Sequence, residues 1–410
     1  MLELWYPIVV RLRGLAGAAM ALALAACADL LTEAPADADL FDAPVEGLTP
    51  AELAAFVRGD AEFGRRFSPL SGLGPIFNDV SCASCHSGDG RGRLENALQR
   101  IGSPDNDMLR AVGGPQIQTR AVPGSFAERL PPSTPVSLRL PPPVFGVGLI
   151  EAIDEATILA LADSADADGD GISGRPNWVY AGAYVPHSVP GGGTELRIGR
   201  FGRKAQVSNL VEQTVEAYHQ DMGITSDFLP VENVNPLSSV DDAAIDRTPD
   251  PEVSHGTVQA VVHYLRTLAP PAPAPDNASR TEGRSLFTSS GCASCHVPSL
   301  PTGQSPIAAL VNRQAELYSD LLLHDMGDAL ADNRPDGSAT GREWRTTPLW
   351  GLRLMRRFLN GDAFLLHDGR ARTVEEAIRL HGGEALASRQ AFEALTPAQR
   401  AALIDFVETR

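Results

Sequence analysis

Cys-Ala-Ser-Cys-His occurs twice in this chain, at Cys82–His86 and at Cys292–His296. No other local pattern restricts the possible folds as strongly. Two thiols three positions apart lie on one face of a helical turn, so both can add to the vinyl groups of one haem. The adjoining His86 or His296 then reaches the iron as a neutral imidazole. Cys-x-x-Cys-His is the attachment signature of c-type haem. A thioredoxin-like site needs no histidine there and sits in a βαβ setting, which the flanking residues do not suggest. A shared zinc site would have to unite motifs far apart in the chain, and a bridge within Cys-x-x-Cys closes too short a loop to stabilise much. Two covalently bound haem c groups are the expected cofactors.

The fifth cysteine, Cys27, belongs to a different signal. Arg11 and Arg13 precede an apolar run from Leu15 to Ala26, the pattern of an export signal. Its end, Leu24-Ala25-Ala26-Cys27, resembles a bacterial lipoprotein signal, which implies a signal peptide over 1–26 and acylation at Cys27. The expectation is an exported, periplasmic protein held to a membrane only through that lipid. Residues 27–48 are small, acidic and Pro-containing and read as a flexible tether. The net charge of −17 excludes nucleic acid as a partner and suits a cationic one, although a merely solvated acidic surface has the same composition.

The 38 Gly and 32 Pro predict irregular chain between short helices. Thr49-Pro50 caps a helix over about 51–57. Val258, Val261, Val262, Leu265 and Leu268 repeat with helical period and mark a buried stripe. A stiff Pro-rich linker spans 270–277. Thr396-Pro397 opens a last helix carrying Leu403, Phe406 and Val407 on one face. The expected fold is mainly α, two cytochrome c-like haem domains in tandem. The first covers 49–269 and is enlarged by a loop-rich insertion over about 100–199; the second covers 278–410. Within the insertion, Asp166, Asp168 and Asp170 match the opening of a calcium loop, but its twelfth position is Asn177 rather than Glu, so bound Ca2+ and a plain acidic turn are both open readings.

Longer phrases carry a family resemblance. Thr347-Pro-Leu-Trp-Gly-Leu352 and Leu366-His-Asp-Gly-Arg-Ala-Arg-Thr-Val-Glu-Glu-Ala-Ile378 resemble the C-terminal signature of the bacterial dihaem cytochrome c peroxidases and the methylamine-utilisation dihaem enzymes. With Gly199-Arg-Phe-Gly202, Asp221-Met-Gly-Ile-Thr225, Leu322-Leu-His-Asp-Met-Gly327 and His381-Gly-Gly-Glu-Ala385, the chain more closely resembles the dihaem oxidoreductase family, once described as thiol oxidoreductases. The resemblance implies a sixth ligand for the C-terminal haem at His381, where the peroxidases usually carry Met. Met355, Met326 and His324 are its rivals. It also implies Gln213 and Asp221 as distal residues of the N-terminal haem, with Glu151 as a rival acid. No histidine follows His86 until His187, which leaves that iron's sixth site open for substrate. The expected activity is reduction of hydrogen peroxide with electrons from a small donor protein, a cytochrome c or cupredoxin. A dihaem electron carrier and an oxidase of a protein or sulfur substrate are the alternatives.

Overall fold

The computed structural model describes residues 40–410 apart from Ser87, Asp89, Pro104 and Pro131. The signal peptide, Cys27 and most of the expected tether lie outside the described residues. The tether does not extend to residue 48. Phe41 is buried against Phe145 and Phe358, at ring distances of 4.8 and 4.2 Å, and Val45 N donates to Thr267 O at 2.8 Å. The acidic composition of the segment had hidden one aromatic that anchors it.

Residues 41–410 form one compact, helix-rich unit. Helix α1 (Pro50–Phe63) starts as its cap predicts, with Thr49 and Glu52 in a reciprocal capping box, and runs longer than the sequence suggested. Strand β1 (Ile76–Phe77) and the one-turn helix α2 (Cys82–Cys85) follow. Strands β2 (Leu98–Ile101), β3 (Gln116–Ile117) and β5 (Val136–Arg139) form an antiparallel sheet with β2 in the centre, Arg100 opposite Gln116. Strand β4 (Arg120–Ala121) pairs back to β1. Then come helices α3 (Leu210–Met222), α4 (His255–Thr267) and α5 (Ala278–Ser289). Strands β6 (Leu323–Asp325) and β7 (Glu343–Arg345) form a ribbon. Helices α6 (Val374–Leu380) and α7 (Pro397–Glu408) complete the set used below.

One arrangement occurs twice. Helix α1 crosses α4 at Gly59, where an added Cβ would lie 2.2 Å from Ala260 O. Helix α5 crosses α7 at Gly283, where an added Cβ would lie 2.1 Å from Ala402 O. Four residues past each glycine stands a phenylalanine. Phe63 packs on Tyr264 at 5.4 Å and lies 6.0 Å from the His86 ring. Phe287 packs on Phe406 at 5.5 Å and lies 6.3 Å from the His296 ring. Two hydrophobic cores follow. Val258, Val261, Val262 and Leu265 enter the first, with Cys82 and Ala83 against it. Leu403, Phe406 and Val407 enter the second, with Cys292 and Ala293 against it.

Only a hydrogen atom fits at each crossing, so Gly283→Val must push α5 and α7 apart. The expected cost is about 1–3 kcal/mol, read as a lower Tm; an unchanged Tm would mean that the helices do not meet as described.

Candidate functional site

Two cavities open beside the two motifs. The first is lined by Cys82, Cys85 and His86, by Phe63, and by one face of α3. On that face Gln213, Ala217 and Asp221 recur every fourth residue, so a single helix stripe presents both polar groups to the space beside His86. Desolvation lowers the His86 pKa to about 4, which keeps the imidazole neutral, and its Nδ1 is buried without a hydrogen-bond partner. Gln213 Oε1 is likewise buried and unpartnered.

Asp221 is held from outside its helix. Gln116 on β3 donates Nε2–H to Asp221 Oδ1 at 2.6 Å. Burial pushes the carboxyl up to about 6; Gln116 and Arg100 oppose the rise, while Glu216 and Asp79 add to it. The same stretch of chain anchors again through Gln118, which donates to Gln220 O at 2.9 Å. Sequence reading missed Gln116 because a lone Gln in an aperiodic segment carries no local signal.

Glu151 is not a distal acid. It does not line this cavity. Its carboxylate pairs with Arg266 Nε at 2.5 Å and accepts Leu210 N–H at 3.0 Å, so it tethers the start of α3 to α4.

The second cavity is lined by Cys292, Cys295 and His296, and by His324, Met326, Met355 and His381. His296 gives its Nδ1–H to Tyr318 O at 2.9 Å. His381 gives its Nδ1–H to Ala377 O at 2.7 Å. In each ring that tautomer leaves the Nε2 lone pair for a metal. Desolvation lowers both histidines, His296 to about 4, so both are neutral at pH 7.

His324 is excluded as a rival. Its Nε2 bonds Asp320 at 2.8 Å and its Nδ1 bonds Glu384 at 2.7 Å. Burial works against its charge, yet hydrogen bonds with Asp320, Cys295 and Glu384 raise it to about 12. An imidazolium has no lone pair to give. Met355 is buried in the second core, and Met326 is half-buried on the wall.

Were His381 to ligate a haem iron in this cavity, His381→Met would raise its reduction potential on the order of 0.1 V, within the span of roughly 0.8 V that axial ligands cover. A redox titration checks this; an unmoved potential would point to Met355 or Met326.

The acidic loop is arranged differently from a calcium loop. Asp163, Asp166 and Asp168 carry the neighbouring carboxylates, while Asp170 accepts Ile172 N–H at 2.8 Å. Asn177 is buried elsewhere and donates to Lys204 O and Asp336 O.

Comparison with known proteins bears on both cavities. A family model described as "Di-haem oxidoreductase, putative peroxidase" matches residues 32–101 and 132–410. The chain belongs to this di-haem oxidoreductase family. The unmatched residues, 102–131, include β3 with Gln116. No curated protein matches the chain. Among solved structures, hydrazine synthase of Kuenenia stuttgartiensis is similar over 93% of this chain and 96% of its own, at 14% identity and TM-score 0.36. A MauG-like protein associated with microbial copper homeostasis is similar over 70% and 93%, at 16% identity and TM-score 0.30. At those values neither likeness carries an argument.

A di-haem oxidoreductase needs two places for haem, and the cavities fit. Each has apolar walls, a Cys-x-x-Cys-His at its edge and a neutral histidine facing in. Pro143, Arg203, Arg345, Thr347, Pro348 and Trp350 line both cavities, so Trp350 stands in a shared wall.

Proposed function

We propose that this di-haem oxidoreductase reduces hydrogen peroxide, drawing electrons singly from a small cationic donor protein, a cytochrome c or cupredoxin. The observation that carries the reading is the shared face of α3, which sets Gln213 and Asp221 in the cavity of His86. The reaction consumes H2O2, two electrons and two protons and yields two waters. Bound at the two sites, haem would supply the redox-active iron and the electron storage. Asp221, when ionised, takes the proton from one peroxide oxygen and returns it to the other, so that water rather than hydroxide departs. The unpartnered Gln213 Oε1 accepts a hydrogen bond from peroxide and orients it. Electrons arriving at the His296 cavity cross the Trp350 wall to the His86 cavity. The net charge of −17 supports a basic donor.

The repeated helix crossings support two cytochrome c-like domains in tandem. We place both haems in thioether linkage to Cys82, Cys85, Cys292 and Cys295, and the protein in the periplasm, anchored by lipid at Cys27. Mass spectrometry of natively expressed protein reads these claims together, and bare thiols at either pair would overturn the attachment.

Activity is tested with peroxide and a reduced donor. Two donors oxidised per peroxide, with one haem spectrum changing when peroxide is added, is the expected result. Two low-spin haems that ignore peroxide would leave an electron carrier instead.

A further inference from the structure

Buried cations in this protein fall into two groups. Lys204, Arg139 and Arg334 are paired: Lys204 Nζ lies 2.8 Å from Asp332, Arg139 2.5 Å and Arg334 2.6 Å from Asp336. Arg91, Arg203 and Arg345 are as deeply buried, at 4%, 4% and 8% exposure. Among the described residues none of the three has a carboxylate partner in a salt bridge. Arg91 Nε and Nη2 and Arg203 Nη1 have no hydrogen-bond partner at all. Arg203 otherwise spends two nitrogens on Leu140 O, and Arg345 meets only the carbonyls of Gly202 and Thr346. Nearby acids are engaged elsewhere. Asp368 is bonded to Arg370 at 2.7 Å, and Asp320 holds His324.

An unpaired buried guanidinium is costly, and the structure holds three in one place. All three line the second cavity, and Arg203 and Arg345 line the first as well. What they lack is a set of buried anions. Each haem carries two propionate carboxylates, and a guanidinium matches a carboxylate in bidentate geometry.

We propose that Arg91, Arg203 and Arg345 are the propionate anchors, with Arg203 and Arg345 serving both haems and Arg91 only the haem at His296. Burial lowers Arg91 to about 9 and Arg345 to about 10, the state a bound carboxylate would relieve. Arg91 follows the first motif by five residues yet faces the second cavity, so the two sites are also tied through the chain. A cation beside a haem favours the added electron, so a shared cation sets both potentials together.

The proposal rests on haem filling both cavities and not on peroxide being the substrate. The test is a redox titration of the purified dihaem protein at fixed pH, with haem content measured for each variant. Arg203→Met should make both haems at least tenfold harder to reduce, about 59 mV for one electron. Arg91→Met should do so only for the haem at His296, and the exposed Arg247→Gln for neither. Should Arg203→Met not hold its haems, Arg203→Lys keeps the charge and loses the fork. Its propionate bands in resonance Raman spectra should then shift at both haems. Potentials in Arg203→Met no different from those in Arg247→Gln, or a change at one haem alone, would overturn the shared role. Unshifted propionate bands in Arg203→Lys would overturn it equally.

Discussion

Asp221→Asn should lower peroxide turnover by about 10²- to 10⁴-fold, the usual worth of a positioned general acid–base group, with haem content and resting spectra unchanged. The amide keeps the size of the carboxylate and can still meet Gln116, but it cannot shuttle a proton. The pH profile is the sharper reading. Burial and the flanking Glu216 and Asp79 put the Asp221 pKa near 6, so the side chain is protonated and idle below that pH and a base above it. Wild-type kcat/KM for peroxide should therefore rise as pH increases through about 6 and then level off. In Asp221→Asn that step should be missing. The stability effect has the opposite sign. A carboxyl raised from 3.8 to about 6 on folding destabilises the native state once pH passes through that window. At pH 7 the Asn variant should therefore be at least as stable as wild type. An Asp221→Asn protein with full activity would remove this residue from the mechanism.

The second large effect is structural. Cys292→Ser with Cys295→Ser should leave one haem per chain and abolish donor-driven turnover. Without haem the apolar residues of the second core face an unfilled cavity of about 210 Å3 and lose the contacts haem would make, so α5 and α7 should pack less well and the Tm should fall. The equivalent change at Cys82 and Cys85 should remove the other haem and the peroxide-induced spectral change. A double variant that keeps two haems and its Tm would refute the assignment of that cavity.

Much of this was legible because it is local. The two haem motifs, the caps at Thr49 and Thr396 and the stripe from Val258 to Leu265 each depend on neighbours within a few residues. The placing of Gln213 and Asp221 on one helix face is local too, since it needs only the helical period. Glu151 shows where local reading stops. An acid in apolar surroundings reads as a cavity carboxylate, but its partner Arg266 comes from a distant helix. His324 failed as a ligand for the same reason, since Glu384 is far along the chain. The acidic turn was legible as a segment, but Asp163, whose carboxylate lies beside those of Asp166 and Asp168, falls outside the motif. The arginines between the cavities were invisible for a further reason. Arg203 follows Gly199-Arg-Phe-Gly202 directly, yet no run of neighbouring residues shows that a guanidinium lacks a carboxylate.

Strand β3 sits in the stretch that the family model passes over, and its Gln116 reaches Asp221 on α3. A hydrogen bond from outside the helix can thus adjust the acidity of a buried carboxyl, since Gln116 opposes the rise that burial causes. Loss of the Gln116 amide would let burial raise the Asp221 carboxyl further, and any chemistry that depends on its ionised form would then begin at a higher pH.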